Sequence, residues 1–256
     1  MLASARYSSF GALLLAMAVA PQLRATVPST AEAAEQSMKQ FLAQGDTPRA
    51  YRATRRIEAK HGGSIGWIEA ETEYAAATGF RYTITGEGGS GQLRDKALKP
   101  ILAGERDAVA KGEISRSALA PCNYEFQLGG LDENGLAKVL LSPKRKERVL
   151  VAGAMFLRPV DGELVRVQGR LAKSPSFWIK TVDIVRSYER IDGAVMPVAL
   201  ETTAQVRMFG TATLTMTYQY SEIDGRPVSH APQMTHLRAD VPTSPGAAGG
   251  GRGSAR

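Results

Sequence analysis

From Asn123 onwards the chain alternates. Apolar and polar side chains trade places over segments of roughly 7–15 residues, and a turn signal closes each segment. The turns fall at Asp132–Gly135, Ser142–Lys144, Pro159–Gly162, Ser174–Ser176, Asp192–Gly193 and Phe209–Gly210. Two segments are nearly ideal. Val198, Leu200, Ala204, Val206 and Met208 oppose Glu201, Thr203, Gln205 and Arg207; Leu214, Met216, Tyr218 and Tyr220 oppose Thr213, Thr215, Thr217 and Gln219. A period of two puts one set on each face of a strand, so these segments predict an antiparallel sheet dry on one face and wet on the other. Regular turns between neighbours predict an up-and-down meander, and long twisted sheets of this kind curl toward a barrel.

The same period runs through 51–59, 66–74 and 80–85. Tyr51, Ala53, Ile57 and Ala59 share one parity, and Arg52, Thr54, Arg56 and Glu58 the other. Two segments break it. Residues 29–44 place Ala33, Ser37 and Phe41 beside Ala34, Met38 and Leu42 at helical spacing, behind Ser29 or Thr30 as a cap. Residues 92–111 carry a stripe of Leu93, Ala97, Ile101, Leu98 and Leu102, with Pro100 set to kink or split the helix. The expected fold is α+β, mainly β: a half-open antiparallel barrel covered by two or three helices.

Arg6 followed by the apolar run Phe10–Ala20 reads as a signal peptide over residues 1–25, with cleavage after Ala25 or Ala20. Residues 26–228 then form the folded domain. Residues 229–256, ending in the Gly/Pro/Ser-rich stretch from Pro242 to Arg256, form a flexible tail. Cys122 is the only cysteine, which excludes a disulfide framework within the chain; at the start of a strand it reads as a small buried hydrophobe. The formal charge is +7. It is spread along the chain rather than gathered in an aromatic-laced stripe, so no nucleic-acid partner is expected. The densest cluster, Lys144, Arg145, Lys146 and Arg148, reads as a solvated hairpin tip or a contact for an acidic partner or anionic membrane surface.

No pattern announces chemistry. Gly86, Gly88 and Gly91 match G-x-G-x-x-G, but the strands before them are amphipathic and hairpins follow, so they read as a strand-to-helix connection rather than a dinucleotide site. His61, His230 and His236 are too loosely spaced to predict a metal. Glu69, Glu71 and Glu73 share a strand face opposite Arg52, Arg55 and Arg56, which predicts cross-strand ion pairs instead of a catalytic pair. No cofactor and no enzymatic activity is expected. What stands out is the apolar face, with Met155, Phe156, Trp178, Leu200, Met208, Leu214, Met216 and Tyr218. It is either filled by the helices or left open as a binding surface that methionines adapt to a ligand.

The run from Pro143 to Gly225 resembles the later half of LolA-like outer-membrane lipoprotein-sorting proteins. The resemblance rests on the Phe177-Trp178 strand, the Asp192-Gly193 turn followed by Pro197, the Gly210 turn, and the closing Tyr218-x-Tyr220 strand with Gly225. It implies a half-pipe of antiparallel strands under a helical lid, a cavity for acyl chains of lipids or lipoproteins, and a periplasmic place of work, with a membrane or envelope protein as partner. Related domains act as sensors of envelope stress. The expected cavity lining is Phe80, Tyr82, Trp178, Leu200, Val206, Met208, Leu214, Met216 and Tyr218. The carriers also use an arginine that bonds lid carbonyls to hold the cavity shut; several arginines lie on the first strands here, and the sequence alone assigns none of them that role.

Overall fold

The computed structural model describes residues 30–44 and 48–229. The leader over 1–25, His230, His236 and all but the first residue of the 229–256 tail lie outside the described residues.

Helix α1 (Thr30–Ala43) precedes three strands, β1 (Ala50–His61), β2 (Ser64–Ala75) and β3 (Gly79–Gly89). A helical stretch follows: α2 (Gly91–Leu93), a π turn (Arg94–Leu98) and α3 (Lys99–Ala110), with a 3-10 turn at Glu113–Ser117. Seven strands then run as a meander: β4 (Tyr124–Leu131), β5 (Ala137–Pro143), β6 (Val151–Leu157), β7 (Leu164–Leu171), β8 (Ile179–Ile191), β9 (Ala194–Val206) and β10 (Gly210–Ile223); the short β11 (Arg226–Pro227) folds back on β10. All six predicted turns fall at the junctions of these strands, with Ser142 and Pro143 closing β5 and Gly210 opening β10. The sheet is antiparallel throughout, in the order β3-β2-β1-β10-β9-β8-β7-β6-β5-β4. β3 and β4 end it at opposite edges, so the barrel is incomplete.

One face carries the helices. The register lines up Val139, Met155, Val167, Arg186, Leu200, Met216, Ile57 and Ile68 as neighbours across eight strands. α1 lies on β4–β6, with Ala34 and Met38 buried against Val139, Leu141 and Met155. The π turn and α3 lie over β1–β3, with Leu98 and Leu102 fully buried against Ile57, Ile68 and Phe80. Burying each of those leucines stabilises the fold by roughly 2 kcal/mol. The predicted break at Pro100 takes the form of the π turn just before it. Lys99 N–H reaches back to the Arg94 carbonyl, and Pro100 sits in the first turn of α3, where its missing N–H costs no bond.

The G-x-G segment belongs to β3, which runs four residues further than its alternation suggested. Gly86 and Gly88 lie beneath the Trp67 ring; a Cβ at Gly88 would sit 2.8 Å from it. Trp67 in turn carries the Arg56 guanidinium, 4.3 Å above the ring. These glycines serve packing in an antiparallel strand, and Ser90 caps the helix beyond them. On the wet face Arg52 pairs with Glu73 (3.6 Å) and Arg56 with Glu69 (3.7 Å), as the charge row predicted. Arg55 does not join them: it points to the other face. Cys122 is exposed, not buried. It sits in the turn before β4, where the Asn123 side chain caps the Ser115 and Ala118 carbonyls and the strand proper begins at Tyr124.

α1 is pinned by the β6–β7 turn. Gln44 Nε2 donates to the Asp161 carbonyl (2.6 Å), and Ser37 Oγ and Gln40 Nε2 reach those of Pro159 and Val160 at 3.4 Å. Gly162 makes this approach possible. Its φ is +67°, and a Cβ there would meet the Ser37 carbonyl oxygen at 2.6 Å and Phe41 N at 2.8 Å. Gly162→Ala is expected to cost about 2 kcal/mol or more, a fall in Tm of roughly 4–8 °C for a domain of this size. Amide exchange in α1 should rise before exchange in β8 and β9. An unchanged Tm would mean that α1 is not seated through this turn.

Candidate functional site

The two helical covers pack on β1–β3 and β4–β6, and the strip of the same face between them, on β7–β10, carries no helix among the described residues; we call this strip the trough. Call the upper end of the sheet the one where β1 finishes and β2 begins. In the lower half of this face side chains are buried, Met196, Met216, Tyr218 and Tyr220 among them. In the upper half Ile184, Leu200, Thr202, Ala204, Val206, Ala212 and Leu214 are only half-buried. The row one step above Arg186 explains why. It reads Leu141, Gly153, Gly169, Ile184, Thr202, Leu214, Ala59 and Gly66. Five of these eight have little or no apolar side chain, so the row does not fill the space above it. Gly153 and Gly169 face one another so closely that a Cβ on Gly153 would lie 2.6 Å from the Gly169 Cα. A glycine pair of this kind lets two strands bend together and curls the sheet.

The expected lining divides into three groups. Leu200, Val206 and Leu214 form the half-buried floor of the trough. Met216, Tyr218 and Phe80 are buried beneath it in the packed core, with Tyr82 half-buried beside them under Arg106. Trp178 and Met208 are not on the floor. β8 begins at Ile179, leaving Trp178 in the preceding loop, 56% exposed, with its carbonyl accepting from Arg207 N–H at 2.7 Å. β9 ends at Val206, and Met208 stands at the tip of the turn, φ +64°, 92% exposed. Its alternation with Val206 continued past the end of the strand.

Three charged residues lie at this face: Arg55, which the sequence placed with the wet-face ion pairs, and Glu105 and Arg186, which it did not single out. Arg55, 2% exposed, lies between the Phe80 and Tyr218 rings, 4.9 and 4.8 Å from their centroids. It donates through Nη1 (2.5 Å) and Nη2 (3.1 Å) to the two carboxylate oxygens of Glu105 on α3, and through Nη2 to the Tyr51 hydroxyl (2.8 Å). Burial works against its charge, and the bidentate carboxylate outweighs that. The pair therefore clips α3 to β1. The signals were present: Arg55 shares the parity of Ala53 and Ile57, and Glu105 follows Ile101 and Leu102 by four and three residues on the apolar side of the helix. The third residue is Arg186, in the middle of the apolar row.

The strand-to-strand loops are polarised. At the upper end the β1–β2, β5–β6, β7–β8 and β9–β10 loops carry Lys144, Arg145, Lys146, Arg148, Lys173 and Arg207 against one acid, Glu147. At the lower end the order inverts: Asp132, Glu133, Asp161, Glu163, Asp192 and Asp224 against Arg158. Turn chemistry accounts for much of the acidic end. Asp132 accepts from the N–H of Asn134 and Leu136, Asp161 from that of Glu163, and Asp224 from those of Arg49 and Ala50. The basic end has no such explanation. It also holds the exposed Phe177, Trp178, Met208 and Phe209, joined where the Arg207 guanidinium covers the Phe177 ring at 5.0 Å. Within the basic cluster, Arg145 is not part of a solvated tip. It bonds Glu147 (2.6 Å) and the Asn123 side chain (2.8 Å), while Glu147 also binds Arg116 (2.9 Å). Lys144, Lys146 and Arg148 are exposed. Among the described residues, no group of three His, Cys, Asp or Glu side chains is placed to hold a metal.

No protein-family model matches the sequence, and no curated protein matches it. Among solved structures the chain is similar to a DUF1329 family protein from Desulfovibrio piger, with 10% identity over 75% of this chain and 92% of that one and a TM-score of 0.36. It is similar to the LolA superfamily protein NE2245 from Nitrosomonas europaea, with 11% identity over 75% and 93% and a TM-score of 0.36. MucB in its complex with MucA matches at 9% identity over 75% and 94%, with a TM-score of 0.17. At these identities no ligand or partner carries over, and the half-barrel rests on its own strand order.

Proposed function

We propose that this chain is an exported, periplasmic binding protein that shelters an acyl chain of a lipid or lipoprotein in the trough, without covalent chemistry, in the sorting of outer-membrane lipoproteins. One observation carries the reading. The upper floor of β8–β10 is apolar, half-exposed, and lies between two helical covers that pack on other strands. An apolar concavity left open on a domain this size is a binding site by default. Burying an acyl chain there contributes about 0.8 kcal/mol per CH₂, enough for micromolar affinity with release still possible. A fluorescent fatty acid titrated into the protein should saturate at micromolar concentration. A response no larger than that of bare buffer would leave a filled core and overturn the reading.

The polarised rim supports a second element. The exposed aromatics and the basic loops at the upper end, Lys144, Lys146 and Arg148 among them, form the face this protein turns to an anionic membrane surface, where its ligand is taken up or released. Anionic vesicles should retain the protein at low salt and lose it as salt rises. Replacing Phe177 and Phe209 by serine should weaken retention at least tenfold. Retention unaffected by these changes would point instead to a protein partner read through charge alone, as an envelope sensor or scaffold would use.

A further inference from the structure

Among the described residues four arginines have an Nε sealed from solvent with no acceptor: Arg55, Arg94, Arg166 and Arg186. Three of them hold a carboxylate through their other nitrogens. Arg55 binds Glu105, Arg94 binds Glu87, and Arg166 lies 3.6 Å from Asp132. Among the described residues no carboxylate lies within ion-pair distance of Arg186. It is also the one charged residue in the eight-strand row from Val139 to Ile68. Burial opposes its charge; a hydrogen bond to the Tyr188 hydroxyl and the carboxylate of Glu105 favour it. Glu105 is already taken at both oxygens by Arg55. The face thus holds two guanidiniums for one carboxylate and keeps a net positive charge at the foot of an apolar trough.

Arg186 is half-buried with no carboxylate of its own among the described residues, and its guanidinium stays protonated regardless. Its planar fork of donors fits the two oxygens of a carboxylate or phosphate. Resting on the trough reading above, we infer that Arg186 receives the anionic headgroup of an amphiphile whose tail runs up the floor past Ile184, Leu200, Thr202 and Leu214. Seven residue steps along β8 lead from Arg186 to Ile179, about 24 Å of strand, long enough for a long-chain acyl group. The ligand class is therefore a single-chain anionic amphiphile, headed by carboxylate or phosphate.

The test compares a fluorescent C18 polyene acid with its methyl ester, on the wild-type chain and on Arg186→Met. The wild type should bind the acid about tenfold to a hundredfold more tightly than the ester, the worth of a charge-assisted hydrogen-bonded pair. Arg186→Met should bring that ratio to about one and leave ester affinity unchanged, with a Tm no lower than the wild type's. An arginine needed only for folding would lower the Tm and weaken both ligands alike. Displacement of the bound acid from the wild type by palmitate, hexadecyl phosphate and hexadecanol needs no variant and separates the headgroups: the more effective of the two anions names the source, and hexadecanol should be the weakest. A wild-type ratio near one, hexadecanol competing as well as both anions, or a ratio that survives Arg186→Met overturns the headgroup site while leaving the trough intact. If neither acid nor ester binds, the trough reading falls and the headgroup site with it.

Discussion

Leu214→Glu should abolish fatty-acid binding and leave a folded protein. Leu214 is half-buried on the trough floor, with Thr202 and Ala59 as its registered neighbours. In the empty protein a glutamate there can turn its carboxylate to water, so the fold should lose only about 1 kcal/mol of side-chain burial. With a ligand in the trough that carboxylate loses its water and gains no partner, which costs several kcal/mol and repels an anionic headgroup besides. A loss of 3 kcal/mol is already more than a hundredfold in affinity. Thr213→Glu is the control: it places the same charge one residue away, exposed on the opposite face, and should leave binding unchanged. Retained binding by Leu214→Glu, with Tm near that of the wild type, would remove Leu214 from the site.

Glu105→Ala should destabilise the protein more than a half-exposed side chain ordinarily would. Glu105 is 35% exposed, but its partner Arg55 is buried under aromatic rings with nowhere to swing. Removing the carboxylate leaves a buried cation unpaired, at a cost of about 3 kcal/mol, or roughly 6–12 °C in Tm. Adding Arg55→Met should recover much of the loss, because an apolar side chain fills the same slot without a charge, and the two changes should be clearly non-additive. α3 would be held less firmly in the single variant, so ligand exchange should quicken. A Tm within 1–2 °C of the wild type would show that this pair does not fasten α3 to the sheet.

The fold was legible because its signal is periodic. Turn residues such as Asp192-Gly193 and Asp132–Gly135 fall where two-residue alternation stops, and both read-outs depend on local chemistry alone. The site was legible only in part. Leu200, Val206 and Leu214 lie on the floor because parity fixes a face. Parity does not say where a strand ends, so Met208 and Trp178, in phase with the floor, stand on the rim. Nor does it say how deep a residue lies, so Met216, Tyr218 and Phe80 share the face yet sit in the packed core. The charged residues of the candidate site were misplaced or missed for a different reason. Arg55 and Arg186 occupy apolar-parity positions, and a charge there reads as noise until the register shows that one has a carboxylate across the gap and the other has none.

An acyl chain held in the trough should be visible directly. The most direct measurement is native mass spectrometry of the exported protein, purified without detergent and followed by organic extraction. The expected result is a bound species that survives gentle ionisation, leaves with the organic phase and carries a carboxylate or phosphate. A clean apo mass, together with no uptake of a fluorescent fatty acid by the same preparation, would contradict it.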